Sequence, residues 1–275
     1  MRRGSVWGKS AYIKAMLAPW LARAAHALPS QCAVCHAWPS QSICSACLGT
    51  FATAQTRCSR CALPLAPPLP ASLVLPADAA ATAAPGRAPH FPHVCGACLR
   101  QGAPAALGTC LAAVPYAYPW SGLLTHFKFR GEPGLAARLA GLMRQIPQAQ
   151  TLLDNCALVL PVPLSRERLR ERGFNQALLL AQALAPRKTD AHLLLRLRHT
   201  RPQSELPRAQ RLQNLQGVFG LEPLRANEVA GHHVLLVDDV MTTGTSLQTA
   251  AQTLRQAGAR QVDALVLART PDLPD

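Results

Sequence analysis

One thirteen-residue stretch, residues 234–246, constrains the fold of this chain more than any other part of its sequence. It begins with four apolar residues, a run of the kind that a parallel sheet buries on both faces. Two carboxylates, Asp238 and Asp239, follow the run, and a turn of threonine, glycine and serine comes next. After the turn, apolar residues recur on one helical face as far as Gly258, where glycine commonly ends a helix. The pattern therefore predicts a buried strand, an acidic pair, a hydroxyl-rich loop and an α-helix.

The side chains of this stretch suit a sugar phosphate. A loop that opens a helix offers free backbone N–H groups and the positive end of the helix dipole, and both attract anions. Gly244 lets the backbone approach a phosphate closely, and the hydroxyls around it add donors. Asp238 and Asp239 accept hydrogen bonds without donating, so they suit two ribose hydroxyls or a hydrated Mg²⁺. The hydroxyl residues of the loop are Thr242, Thr243, Thr245 and Ser246.

This stretch resembles the phosphoribosyl-pyrophosphate (PRPP) motif of the type I phosphoribosyltransferases. The resemblance implies that Asp238 and Asp239 hold the ribose hydroxyls and that residues 242–246 hold the 5-phosphate. The alternative is an ordinary strand-to-helix turn in which two aspartates are adjacent by accident. That alternative requires every position of the motif to agree by chance.

Eight of the ten cysteines form four Cys-x-x-Cys pairs, which indicate zinc thiolates more readily than disulfides. The first two pairs, Cys32/Cys35 and Cys44/Cys47, are close enough in sequence to share one structural zinc. Cys58/Cys61 and Cys95/Cys98 would then share a second. An interleaved pairing and a disulfide or redox module are the alternatives. The zinc interpretation fits a reducing, cytoplasmic environment.

The predicted domain order is an extension, a cysteine-rich domain and a larger α/β domain. Residues 1–31 are predicted to form a basic helical extension that packs on its own protein, with membrane contact as the alternative. Residues 32–110 form the double zinc ribbon, into which a segment rich in proline and alanine, residues 62–94, is inserted. Residues 111–275 form the α/β domain. No stretch of the sequence approaches the length of a transmembrane helix.

Short apolar segments alternate with helical patterns in the larger domain, which favours a mainly parallel sheet flanked by helices. An edge strand is expected at 111–118, because Pro115 has no backbone N–H to donate to a neighbouring strand and would weaken a central strand. Further strands are expected at 156–161, 234–237 and 262–268, and helices at 122–129, 134–144 and 175–184, with one more after the acidic pair.

Basic residues concentrate in one part of this domain. Residues 166–211 hold eleven Lys/Arg and four Asp/Glu, so +7 of the formal charge of +14 lies there. This excess indicates an anionic ligand, and arginine grips a pyrophosphate well through paired hydrogen bonds. A solvated helix laced by arginine and glutamate is the alternative for the first part of the run. That alternative leaves the uncharged residues of the Arg-Gly-Phe-Asn-Gln turn at 172–176 without an explanation.

Together these segments resemble the ComF family of competence-associated, amidophosphoribosyltransferase-like proteins. The motifs that carry the resemblance are the paired cysteines, Phe-Lys-Phe-Arg-Gly at 127–131, Pro-Val-Pro at 161–163, Arg-Gly-Phe-Asn-Gln at 172–176, Thr200 with Gln203, Arg211 with Asn214, Phe219, and the PRPP motif. The family combines an N-terminal zinc finger with a type I phosphoribosyltransferase domain, and some members act in DNA uptake. The long proline-rich insert is a departure from the family pattern.

Two functions follow from the resemblance. In the first, the protein is a phosphoribosyltransferase that binds PRPP with Mg²⁺, and Lys128, Arg172 and Arg211 hold the charge of the departing pyrophosphate. Pro163, Gly173 and Asn175 are further candidate phosphate-binding positions. In the second, the protein binds single-stranded DNA or a nucleotide without turnover, as an accessory of the competence machinery. Fold alone does not separate the two.

Overall fold

The computed structural model describes residues 30–41, 43–65, 93–100, 106–129, 132–197 and 217–271. These residues form two compact units, which divide between Phe51 and Ala52. Cys58, Cys61, Cys95 and Cys98 therefore belong to the same unit as the sheet. The predicted boundary between residues 110 and 111 falls inside this larger unit and stays a prediction. The predicted N-terminal helix and most of the predicted insert lie outside the described residues.

The helices and strands follow the alternating order that the sequence predicts. The helices are α1 (Ser45–Phe51), α2 (Gly96–Arg100), α3 (Trp120–Phe129), α4 (Leu135–Arg144), α5 (Ala149–Asn155), α6 (Arg166–Arg172), α7 (Gln176–Leu184) and α8 (Thr245–Gln256), with a short 3₁₀ helix at Ala226–Val229. The strands are β1 (Cys110–Pro115), β2 (Leu158–Pro161), β3 (Leu194–Arg196), β4 (Phe219–Leu221), β5 (His233–Met241) and β6 (Gln261–Arg269).

Four of the strands form a parallel sheet in the order β1-β6-β5-β2, which confirms the predicted fold class. The central strands β5 and β6 are buried along nearly their whole length, as their runs of valine, leucine and alanine require. Strand β1 lies at one edge, in agreement with the proline near its end. Alternate residues point to opposite faces of the sheet. Helix α8 packs on the face that carries Leu236 and Val266, and α4 and α7 contact the sheet from the other side.

The structure differs from the predicted elements in several places. Strand β5 does not end before the aspartates but continues through both of them to Met241, because β6 pairs with it as far as Arg269. Helices α1, α2 and α5 and the 3₁₀ helix were not predicted, and α6 is the solvated arginine and glutamate helix that was the alternative for the first part of the basic run. Strands β3 and β4, also not predicted, form a separate antiparallel pair, in which Leu194 lies opposite Leu221. In the described ranges, no helix combines the length and apolar character needed to cross a bilayer.

Candidate functional site

Three segments meet at the carboxyl edge of the parallel sheet. They are the segment that follows β1 and leads into α3, the segment that follows β2 and leads into α6, and the end of β5 with the loop before α8. The strands are parallel, so their carboxyl ends lie along one edge, where open α/β sheets bind ligands. The backbone ties two of these segments together, since Val162 N donates to Val237 O at 2.9 Å.

An acidic pair with one close cation lies at this edge. Asp239 is 8% exposed, and its Oδ2 atom lies 3.1 Å from Nζ of Lys128, which α3 carries. Among the described residues, this oxygen accepts no hydrogen bond of normal geometry, so the ion pair offsets its burial. Asp238 Oδ1 accepts a hydrogen bond from Asp239 N at 2.8 Å. Lys128 and both aspartates, distant in sequence, thus form one charged group.

The pair does not hold two full negative charges easily. Burial, followed by the neighbouring charge of Asp239, raises the pKa of Asp238 to about 8. Two adjacent carboxylates with a single nearby ammonium explain this direction, because the second negative charge is only partly offset. A ligand that brings cations or hydroxyl donors to the pair would therefore gain free energy from it.

The loop after the pair begins helix α8 without a side-chain cap from the N-cap residue. Gly244 occupies the N-cap position with a φ of +77°, a left-handed conformation that favours glycine. Thr243 Oγ1 lies 2.7 Å from Thr245 Oγ1, and Thr242 and Thr243 are exposed. Ser246 is half-buried in the first turn of the helix. Thr245 N–H donates to Thr243 Oγ1 at 3.5 Å, whereas Gly244 at the N-cap has no side chain to bond the amides of the first turn. The N-terminus of this twelve-residue helix is therefore a suitable site for a phosphate.

Gly244→Ala is expected to displace this loop. A Cβ at this position would overlap Cε of Met241, and the positive φ adds strain of about 1–2 kcal/mol. We expect a lower melting temperature and an at least tenfold weaker affinity for ribose 5-phosphate, measured by calorimetry. Gly231→Ala is the matched control, because Gly231 has a φ of +73° but a Cβ added there would meet no atom within 4 Å. An equal loss of affinity in both variants would contradict the role of the close contact.

Two motifs that are far apart in the sequence, one on α3 and one at the end of α6, pack against each other. The rings of Phe127 and Phe174 lie 5.8 Å apart, and the guanidinium of Arg172 lies 5.3 Å from the ring centre of Phe129. Arg172 also donates to Oε1 of Gln176 at 3.0 Å. Buried Nε of Arg172 and Nε2 of Gln176 have no hydrogen-bond partner among the described residues. Both atoms are donors that lack an acceptor among the described residues.

The turn between α6 and α7 explains why uncharged residues interrupt the arginine run. Gly173 ends α6 with a φ of +77°, and its N–H donates to Leu169 O at 2.9 Å. Asn175 caps α7 through Oδ1 and donates from Nδ2 to Val162 O at 3.1 Å. The side chain of Asn175 is thus used to hold the turn. Pro163 is half-buried two residues after the end of β2. The phosphate-binding roles of these three residues stay predictions.

One residue near the acidic pair was missed by the sequence analysis. Arg196, at the end of β3, is partly buried, and its guanidinium lies 5.6 Å from the ring centre of Phe219 on β4. Burial, followed by the charge of Arg168, lowers the pKa of Arg196, and Asp238 acts in the opposite direction. An arginine that interrupts the apolar run at 193–197 was the signal that could have identified it. The predicted Arg211, by contrast, lies outside the described residues.

The eight paired cysteines lie in two groups, in the sequential arrangement rather than the interleaved one. Cys32, Cys35, Cys44 and Cys47 form one group, and Cys58, Cys61, Cys95 and Cys98 form the other. In each group the four sulfur atoms lie within 4.8 Å of one another, and all eight cysteines are free thiols.

The geometry of both groups fits a tetrahedral zinc. Four sulfurs at about 2.3 Å from a zinc ion lie about 3.8 Å apart. The sulfurs of Cys32 and Cys47 are 3.9 Å apart, and those of Cys61 and Cys95 are 3.6 Å apart. Backbone N–H groups also point at sulfur, as in Cys95 N to Cys58 Sγ at 3.3 Å. Although burial opposes it, such hydrogen bonds lower the pKa of Cys32 to about 6 and that of Cys58 to about 7.

Comparison with known proteins agrees with the fold. A phosphoribosyl transferase domain model matches residues 180–274. DNA utilization protein YhgH of Escherichia coli (strain K12) is 32% identical over 83% of this chain and 90% of that protein. Competence protein F of Haemophilus influenzae is 33% identical over 66% of this chain and 80% of that protein. Competence protein ComFC of Bacillus subtilis is 34% identical over 54% of this chain and 58% of that protein. The chain therefore belongs to the ComF family of competence proteins, and it carries a phosphoribosyltransferase-type domain.

Proposed function

We propose that this protein binds PRPP at the carboxyl edge of the sheet. The observation that carries the proposal is the pairing of an acidic dyad, Asp238 and Asp239, with the N-terminus of α8 a few residues further on, where the N-cap is a glycine and the loop carries hydroxyls. The dyad offers acceptors for the two ribose hydroxyls, and the loop amides and hydroxyls of residues 242–246 offer donors for the 5-phosphate. The sugar hydroxyls would thus meet hydrogen-bond acceptors, and the phosphate would meet hydrogen-bond donors.

Lys128, Arg172 and Arg211 are proposed to hold the pyrophosphate of PRPP. Lys128 is already at the dyad, and Arg172 has a buried Nε atom without a partner among the described residues. During transfer, the bond between C1 of the ribose and pyrophosphate would break, its electron pair would leave with pyrophosphate, and the acceptor would form the new bond to C1. The cations would stabilise the charge that leaves. Mg²⁺ near the carboxylates would supply further neutralisation of the pyrophosphate.

We further propose one structural zinc in each cysteine group and a role for the protein in DNA uptake. The sulfur spacing supports the first proposal, and the names of the relatives support the second. Structural zinc would stabilise the small unit, which has few large buried side chains of its own among the described residues. We expect metal analysis of the purified protein to return two zinc ions per chain.

Binding of single-stranded DNA without turnover is the second candidate. Helix α6 favours it, because the helix carries four arginines in seven residues and none of its residues is buried as a whole. A basic surface of this kind binds phosphate backbones, and its affinity falls steeply with salt.

The two candidates are separated by two measurements on the same purified protein. The first is calorimetric titration with PRPP in the presence of Mg²⁺, for which we expect micromolar binding. The second is pyrophosphate release from PRPP with each nucleobase in turn. PRPP binding with pyrophosphate release supports the enzyme. Absence of PRPP binding, together with salt-sensitive binding of single-stranded DNA, would overturn the first proposal in favour of the second.

A further inference from the structure

Arg269, the last residue of β6, is a buried cation without an obvious role in the fold. It is 4% exposed, and none of the ion pairs between described residues includes it. A buried guanidinium is costly unless hydrogen bonds and nearby negative charge offset it. The surroundings of Arg269 therefore need an explanation.

The guanidinium of Arg269 links the second cysteine group to residues 242–246, called the phosphate loop below. Its Nε donates to the backbone carbonyl of Cys61 at 2.8 Å, in the Cys58-to-Cys61 turn, called the knuckle below. Its Nη1 lies 3.5 Å from Met241 O and donates to Thr270 O at 2.5 Å. The N–H of Thr270 also donates to Met241 O, at 3.0 Å. Since Met241 directly precedes residues 242–246, its carbonyl fixes the point at which the loop leaves the sheet.

A second path runs between the same two regions. Cys110 N donates to Ser59 O, between the knuckle cysteines, at 2.7 Å. Cys110 Sγ lies 3.4 Å from Met241 Sδ, and the end of the Met241 side chain lies directly beneath Gly244. Met241 is thus held at its carbonyl by Arg269 and Thr270 and at its side chain by Cys110. Both Arg269 and Cys110 are in turn hydrogen-bonded to the backbone of the knuckle.

The charge of a metal-loaded cluster would balance Arg269. A zinc ion with four thiolates carries a net charge of −2. Three arginines donate to backbone carbonyls in or next to this cluster: Arg57 to Ala62 O at 3.1 Å, Arg60 to Cys98 O at 3.2 Å, and Arg269 to Cys61 O. Of the three, Arg269 is the one that also reaches the phosphate loop. Loss of the metal would remove this negative charge and the folded knuckle together.

We propose that Arg269 is a positioning residue that couples the second cysteine cluster, Cys58, Cys61, Cys95 and Cys98, to the phosphate loop. Metal in this cluster holds Met241, and through it residues 242–246, in the conformation that binds a phosphate. The proposal rests on the proposed function for the identity of the ligand, but not for the coupling itself. It also assigns different roles to the two clusters, since the first belongs to the other compact unit.

The test is hydrogen exchange of the loop amides in the full-length, zinc-loaded protein. We expect Arg269→Gln to speed exchange in residues 242–247 by tenfold or more, to weaken ribose 5-phosphate binding by about the same factor, and to leave two zinc ions per chain. Arg269→Lys keeps the charge but not the two-sided hydrogen bonding, so it should recover only part of the protection. Arg255→Gln is the control, because Arg255 donates to the Ala259 carbonyl beyond the other end of α8. Exchange within twofold of the wild type in Arg269→Gln would overturn the proposal.

A second pair of variants separates the clusters. Cys98→Ala and Cys47→Ala each remove one buried zinc ligand, and each should cost one zinc ion. Only Cys98→Ala should speed exchange of the loop. Equal effects of the two variants would refute a coupling specific to the second cluster, and Arg269→Gln decides the question if Cys98→Ala does not fold. Failure of the wild type to bind PRPP or ribose 5-phosphate would refute the proposed function, while the exchange measurement would still decide the coupling.

Discussion

Asp238→Asn and Asp239→Asn are each expected to weaken PRPP binding by about 10- to 100-fold while the fold is retained. Each change replaces one carboxylate acceptor by an amide, and a hydrogen bond to a charged group contributes about 1.5–3 kcal/mol. Loss of one such bond to the ribose diol accounts for a factor of this size, because each 1.4 kcal/mol is about tenfold in affinity. Calorimetric titration with PRPP and Mg²⁺ measures the change. Asp154→Asn, at an exposed carboxylate on α5, is the control and should bind normally.

The same substitution at Asp238 should make the protein more stable at neutral pH. The pKa of Asp238 in the folded protein is about 8, above its ordinary value of 3.8. The folded state therefore keeps a proton that the unfolded state has lost, and wild-type stability falls as the pH rises from about 4 to 8. Asp238→Asn removes this dependence. We expect a gain on the order of 1–2 kcal/mol at pH 8 that disappears near pH 4. A variant less stable than the wild type at pH 8 would contradict the claim that the charged form of Asp238 destabilises the folded protein.

Lys128→Ala is expected to have the largest effect on stability. The Lys128 and Asp239 side chains are 14% and 11% exposed, so removing the ammonium leaves a largely buried carboxylate without its cation. Breaking a fully buried pair costs about 3–5 kcal/mol, and we expect about 2–3 kcal/mol here because some water reaches both groups. The loss should be smaller at pH 5 than at pH 8, because Asp238, with a pKa of about 8, is protonated at the lower pH and the dyad then needs less positive charge beside it. Thermal unfolding at pH 5 and pH 8 measures the difference.

A double variant tests the cause of that loss. Lys128→Ala combined with Asp239→Asn should recover most of the lost stability, because the carboxylate that needed the lysine is gone. PRPP binding should stay as weak in the double variant as in Asp239→Asn, or weaker. Failure of Asp239→Asn to recover any stability would show that Lys128 acts through packing of its side chain instead.

The sequence predicted the parts of the site that lie in one continuous stretch. The strand, the acidic pair and the start of α8 follow from local rules: an apolar run, a glycine in a left-handed turn and a helical face. The parallel sheet followed from the alternation of strand and helix. The sulfur groups followed from the spacing of the cysteines, although the pairing required three-dimensional information.

The parts that the sequence did not predict depend on contacts between distant segments. Nothing local in Lys128 indicates that it meets Asp239, and nothing local in Arg172 indicates that it packs on Phe129. Arg196 lies in a short antiparallel pair whose two strands are separated by more than twenty residues, so no hairpin signal marks it. Arg269 looked like the end of a strand, and its role depends on Cys61, 208 residues away.

Two sets of residues in the site would bind different parts of a ligand. The dyad and loop are suited to a ribose phosphate, whereas the basic residues on α3 and α6 would hold a further anion. A polyanionic nucleic acid and the pyrophosphate of PRPP would compete for the basic residues on α3 and α6, but not for the dyad and the loop. Competition between single-stranded DNA and PRPP, but not between DNA and ribose 5-phosphate, is therefore the expected pattern if both ligands bind.

The most direct test of the central claim is a crystal structure of the protein with PRPP and Mg²⁺. We predict that the two ribose hydroxyls lie within hydrogen-bond distance of the Asp238 and Asp239 carboxylates, and that the 5-phosphate lies on the amides and hydroxyls of residues 242–246. A ligand bound elsewhere, or bound with its ribose hydroxyls away from both aspartates, would contradict the claim.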